Sequence, residues 1–115
     1  MKSLPNYLQS QRKRLSFSQE EVAFLLGIRG MHKGNKVCRD ENFAREPSLQ
    51  EALAYEAIYG LPVHELFAGV YQQAQQNVTA RAKILKFRKV RKPDARRQEA
   101  IIQLAAKASV NSINQ

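Results

Sequence analysis

The stretch Phe17-Ser18-Gln19-Glu20-Glu21-Val22-Ala23-Phe24-Leu25-Leu26-Gly27 decides the fold of this chain. Ser18 and Glu21 stand three apart ahead of an apolar run, which is the pattern of a capping box. The Ser18 hydroxyl accepts from the Glu21 amide, and the Glu21 carboxylate reaches back to the Ser18 amide. The helix begun there carries Val22, Phe24, Leu25 and Leu26, and Gly27 is a natural stop for it.

Working outward, Leu4, Leu8 and Leu15 fall at helical spacing and predict a first helix from about Leu4 to Leu15, with Gln9, Gln11, Arg12, Lys13 and Arg14 on its other side. On the far side, Gly27–Gly34 contains three glycines and reads as an irregular turn. A third helix is expected from about Asn35 to Asn42. Ser48 and Glu51 repeat the capping box, and Leu49, Ala52, Leu53 and Ile58 supply that helix with an apolar face before Gly60 ends it. A fifth helix opens near Pro62-Val63, turns Leu66, Phe67 and Val70 inward, and meets no Gly or Pro between Gly69 and Pro93, so it is expected to run on to about Phe87. Pro93-Asp94 breaks the chain, and Ala95, Ile101, Ile102, Leu104, Ala105 and Ala108 form a last amphipathic helix. Nothing alternates with the period of a strand. The fold class expected is all-α, five short helices followed by a helical extension.

The chain has 115 residues and a hydrophobic fraction of 43%, enough for one domain plus that extension. The domains expected are residues 1–69 and a basic extension, 70–115. With Cys38 as the one cysteine, neither an internal disulfide nor a cysteine-built metal site can form within the chain. No run reaches 18 apolar residues and residues 1–20 are too polar for a signal peptide, so no membrane role is expected and the expected location is cytoplasmic. His32 and His64 have no ligand cluster around them in the sequence. No nucleophile elbow, phosphate loop or paired-acid arrangement is visible, so neither an enzyme nor a cofactor is expected.

Charge narrows the partner. Between Arg81 and Arg97 lie nine basic residues and one acid, Asp94, while the rest of the chain holds ten basic and nine acidic residues. Of the net charge of +9, +8 therefore sits in that one segment. Such a segment suits a polyanion, nucleic acid being the commonest. A solvated basic helix without a dedicated partner is the plainer alternative.

Residues 4–67 resemble the Xre/Cro-like, lambda-repressor-like helix-turn-helix regulators. Leu4, Leu8 and Arg12 match that family's first helix. Phe17–Ala23 is similar to its L-S-Q-E-E-L-A, Leu26-Gly27-Ile28 to its L-G-V, and Val37-Cys38-Arg39-Asp40-Glu41 to its I-S-R-I-E. Arg45–Leu49 is similar to R-x-P-S-L, and Gly60–Phe67 to G-V-S-L-D-E-L-F. The resemblance implies a five-helix module whose second and third helices read double-stranded DNA. Gln19 then corresponds to a phosphate-contacting glutamine that also buttresses the third helix, and Ala23 to the small residue where the two helices meet. Asn35, Lys36 and Arg39 become the base-edge candidates, with Asn42 and Arg45 near phosphates.

The chain departs from this pattern in three places. About four residues are inserted within Ile28–Asn35. They lengthen the turn, add a first turn of helix, or bring DNA contacts of their own through Arg29, His32 and Lys33. Asp40 stands at a normally apolar position and is expected to face solvent after a local rotation or to pair with a neighbour such as Arg39 or Lys36. Glu56 replaces an alanine and is expected to be partly exposed or ion-paired, because an unpaired buried carboxylate is costly. Cys38, in a serine position, is expected to be a half-buried thiol.

In the extension, Val70, Tyr71, Ala74, Val78 and Leu85 form an approximate helical stripe suited to pairing with a second copy, as a homodimer on a two-fold operator. Lys86, Arg88, Lys89, Arg91 and Lys92 are its secondary phosphate-contact candidates. Two further readings stay open: an antitoxin-like or other protein-interaction module, and nucleic-acid binding by the 81–97 segment alone.

Overall fold

The computed structural model describes residues 4–88 and 94–113. Among these there are seven helices and no strand: α1 (Leu8–Arg14), α2 (Gln19–Leu25), α3 (Gly34–Glu41), α4 (Leu49–Tyr59), α5 (Val63–Leu66), α6 (Ala68–Lys86) and α7 (Ala95–Ile113). None of them is long and apolar enough to cross a membrane. The chain divides into two compact units, residues 2–70 and 71–115, with the boundary inside α6.

Both capping boxes form. Ser18 Oγ accepts from the Glu21 amide at 3.0 Å while Glu21 Oε1 accepts from the Ser18 amide at 2.8 Å. Ser48 and Glu51 do the same at 3.1 and 2.9 Å. Gly27 and Gly60 close α2 and α4 with φ of +83° and +69°, a conformation that a Cβ would strain.

The first helix starts later than its leucine spacing suggests. Pro5 offers no amide, and the buried Asn6 accepts from the Leu8 amide through Oδ1 while donating from Nδ2 to the Asp40 carbonyl at 2.9 Å. The Tyr7 amide donates to the Leu66 carbonyl at 2.8 Å, and the Gly69 amide to the Leu4 carbonyl at 2.9 Å. Residues 4–7 are thus tied to α5 and the start of α6 and cannot continue α1. Leu8 is buried, whereas Leu4 and Leu15 are exposed. The same tie interrupts the expected long fifth helix: α5 ends at Leu66, Phe67 leaves helical geometry, and α6 begins at Ala68.

The core of residues 2–70 is Leu8, Val22, Ala23, Val37, Tyr55, Tyr59, Leu66 and Phe67. α2 packs chiefly on α3, with fully buried Ala23 among the core residues and Gly34 letting the start of α3 lie on α2; a Cβ on Gly34 would stand 3.1 Å from Glu20 Cγ. The inward stripe of α4 is in part the expected one, since Ala52 and Ile58 are half-buried against the core. Tyr55 and Tyr59 are buried, with Tyr55 stacked on Tyr59 and edge-on to Phe67, while Leu49 and Leu53 are exposed. Glu56 is half-buried, and its Oε1 accepts from the Val63 amide at 2.8 Å, which joins α4 to α5.

Residues 71–107 bury less. Among the described residues there Thr79, Ala82 and Ile101 are the buried side chains, and the Thr79 hydroxyl donates to the Leu104 carbonyl at 3.2 Å. The inward positions of α6 are therefore small ones that admit close helix approach, while Tyr71 and Val78 of the expected stripe are exposed. α7 begins behind Asp94, whose Oδ1 accepts from the Arg96 amide at 2.8 Å.

Candidate nucleic-acid interface

α3 separates its side chains sharply. Gly34, Val37, Asp40 and Glu41 are buried, and Asn35, Lys36, Arg39 and the following Asn42 are exposed. Both carboxylates of the helix thus point inward, so its outward positions carry Asn, Lys and Arg without an acid among them.

Each inward carboxylate has its own cation. Glu41, almost without solvent access, accepts from Arg12 Nε at 2.7 Å and Nη2 at 3.2 Å, and from Gln19 Nε2 at 3.1 Å. Arg12 spends its remaining Nη1 on the Phe17 carbonyl at 3.0 Å. One carboxylate thereby joins the end of α3 to α1 and to the start of α2. The hydrogen bond to Glu41 raises the Arg12 guanidinium above its ordinary value, against the opposing effect of burial.

Asp40 takes the paired form of the sequence expectation, but with Arg45 as its cation. It is 1% exposed and pairs with neither Arg39 nor Lys36. Its carboxylate accepts from Arg45 Nη1 at 2.9 and 3.0 Å and from the Tyr55 hydroxyl at 2.7 Å. Burial pushes its carboxyl up despite both partners. Arg45 also donates from Nη2 to Glu51 at 2.6 and 2.8 Å. Burial would raise the Glu51 carboxyl, but Arg45 and the Ser48 bonds outweigh it and hold Glu51 low. The Tyr55 hydroxyl is driven far above its ordinary value by burial and by the hydrogen bond to Asp40.

Arg45 thus donates from both Nη1 and Nη2 within the fold, joining the end of α3 to α4, with its side chain 24% exposed. Gln19 is likewise half-buried and tied to Glu41. Lys33 is half-buried, its Nζ 5.0 Å over the Phe24 ring, so its charge is drawn toward α2. Asn42 is exposed and donates to Sγ of the half-buried Cys38 at 3.4 Å. Arg29 is exposed, as are Lys86 at the end of α6 and Arg88 beyond it. Lys89, Arg91 and Lys92 lie outside the described residues.

A turn leads into α3. Residues 31–33 form a turn in which the His32 and Lys33 carbonyls accept from the Asn35 and Lys36 amides at 3.0 and 3.4 Å, with Lys33 in helical geometry. Gly30 precedes it at φ +116°. The backbone of residues 31–33 is thus a turn placed directly ahead of α3.

Arg12, Glu41 and Tyr55 were not singled out as positioning residues by composition or capping. A signal existed: Arg12 is four residues from Leu8 and Glu41 four from Val37, so opposite charges sit on two apolar faces. Among the described residues no cluster of His, Cys, Asp and Glu is placed to hold a metal ion. Comparison with protein-family models, with curated proteins and with solved structures gives no match to this chain.

Proposed function

We propose that residues 4–67 are a helix-turn-helix module of the Xre/Cro-like, lambda-repressor-like type, with α2 and α3 as its two helices. On this reading the chain is a sequence-specific regulator that binds double-stranded DNA in the cytoplasm and represses by occupying its operator. The observation that carries the reading is the division of α3: Asp40 and Glu41 are neutralised inside, and Asn35, Lys36 and Arg39 are free of acid outside. Those are the side-chain types that pair with adenine and guanine edges in the major groove. The clamp of Glu41 on Arg12 and Gln19 holds that face in one orientation, which sequence reading requires and general phosphate binding does not. The exposed Tyr71 and Val78 of α6 suit pairing with a second copy, and Lys86 and Arg88 suit phosphate contacts.

Fluorescence titration of the Lys36→Ala/Arg39→Ala double variant tests this, using a selected duplex and its scrambled counterpart. Removing one bidentate pair with a base edge takes away about 1–3 kcal/mol of discrimination, so the preference for the selected duplex should fall at least about fivefold. Unchanged affinity and unchanged preference would remove α3 as the reading element.

A second reading, a protein-interaction module, is favoured by Phe24 and Leu25, which are 69% and 50% exposed beside Lys33. A Phe24→Asp/Leu25→Asp variant that keeps full DNA discrimination but loses a co-purifying protein would support it.

A further inference from the structure

Met31, on the turn ahead of α3, is an apolar side chain with no role in the fold. It is 88% exposed, the most exposed of the large hydrophobic residues described in the chain. Its neighbours are polar or cationic: Arg29 and His32 beside it, Asn35 one turn on and Lys36 after that, all exposed. The other exposed apolar pair near this end, Phe24 and Leu25, lies on α2, where Lys33 covers the Phe24 ring. Met31 is therefore the apolar element of the basic leading end of α3.

The position of Met31 is defined by the backbone. Gly30 takes a φ of +116°, which an L side chain rarely adopts, and the bonds of His32 and Lys33 to Asn35 and Lys36 join the turn to the helix. Met31 thus stands on the turn that leads into α3, directly before His32, whose carbonyl accepts from the amide of the first base-edge candidate, Asn35. The edges of base pairs in the major groove are polar except for one group, the 5-methyl of thymine. A thioether side chain is flexible and polarizable enough to pack on such an isolated methyl.

Resting on the DNA reading above, we propose that Met31 is a specificity-determining residue whose side chain packs on a thymine 5-methyl group at the leading edge of the bound site. The added turn then lengthens the reading surface instead of merely spacing the two helices.

The experiment is a titration of the full chain against its best duplex selected from a random pool, with each thymine replaced in turn by deoxyuridine. That replacement removes the methyl and nothing else. The wild-type chain should weaken about fourfold at one position, the value of burying one methyl-sized group. Met31→Ala should bind the parent duplex several-fold more weakly and become insensitive to deoxyuridine at that position, with its salt dependence unchanged because the substitution removes no charge. Met31→Leu should retain part of the methyl sensitivity, while Met31→Gln should lose it. A selected site without thymine, or identical deoxyuridine profiles for the wild type and Met31→Ala, would overturn the proposal and leave the DNA reading standing. A wild-type chain that binds all duplexes alike would overturn both.

Discussion

Residues 2–70 hold nine basic and eight acidic side chains, and residues 71–115 hold ten basic and two acidic ones. In the first unit the decisive charges face one another. Arg12 meets Glu41, and Arg45 bridges Asp40 and Glu51, with Gln19 and Tyr55 completing the hydrogen bonds. In the described part of the second unit Arg96 and Asp94 are paired at the surface, the cations of α6 are exposed, and Arg97 of α7 is half-buried. An exposed pair of that kind contributes little. Matched internal charges fix orientation, because a buried pair is satisfied in only one geometry and leaving it unsatisfied is costly. Unmatched external charges fix nothing, but they attract a polyanion from any direction and do so salt-dependently. On the DNA reading proposed above, the first unit would serve as the reading element and the second as the affinity element.

The comparison breaks most completely at Glu41. Glu41→Ala strands the nearly buried Arg12 guanidinium and frees Gln19, and should cost about 3–5 kcal/mol, measured by urea unfolding. Glu41→Gln should cost less, since an amide oxygen still accepts from Arg12 or Gln19. A loss under about 1 kcal/mol for the alanine variant would mean that the clamp contributes no more than a surface pair. Gly69 tests the other end of the same unit. A Cβ there would stand 2.5 Å from the Leu4 carbonyl oxygen and 2.7 Å from Pro5 Cα, both backbone atoms that a rotamer change cannot move. Gly69→Ala should cost about 1–3 kcal/mol, the range for overpacking, in the same assay.

Acid sharpens the comparison inside the network. Glu51 is held below its ordinary carboxylate value, so it stabilises the fold above its unfolded value near ~4.3 and loses that contribution as pH falls through its folded one. Asp40 is raised by burial, so its protonation favours the folded state and relieves the fold as pH falls from its folded value toward the unfolded one near ~3.9. Urea midpoints between neutral pH and the carboxylate range should show Glu51→Gln flattening the acid loss of stability and Asp40→Asn steepening it. The same slope in both variants would contradict the opposed shifts.

The smallest effect belongs to the second unit. Lys86→Ala/Arg88→Ala should weaken binding to selected and scrambled duplexes alike and reduce the log–log salt slope by about 2, near 0.9 for each phosphate no longer neutralised. A loss confined to the selected duplex would place sequence reading on α6 and erase the distinction between the units.

Much of the scaffold was legible because its signals are local. The Ser18–Glu21 and Ser48–Glu51 boxes and the Gly27 and Gly60 stops need only neighbouring residues, and all four formed. The outward residues Asn35, Lys36 and Arg39 were legible for the same reason, since three- and four-residue spacing places them together on a helix. What escaped depended on partners far along the chain. Asp40 looked misplaced at an apolar position because Arg45 and Tyr55 are brought to it only by the packing of α3 near α4. The late start of α1 depends on Asn6 reaching the Asp40 carbonyl, and the break at Phe67 on Gly69 bonding Leu4. Tyr55 and Tyr59 displaced Leu49 and Leu53 from the core because aromatic stacking and the Tyr55 hydroxyl bond reward those positions over greasier ones.

The central claim, that the outer face of α3 reads base sequence, is tested most directly by selecting bound duplexes from a random pool with the full chain and with Lys36→Ala/Arg39→Ala. The account predicts one enriched sequence for the wild-type chain, with two-fold symmetry if two copies bind together. It predicts loss of that enrichment in the double variant while salt-sensitive binding persists. No enrichment by the wild-type chain, or the same enriched sequence from both proteins, would contradict it.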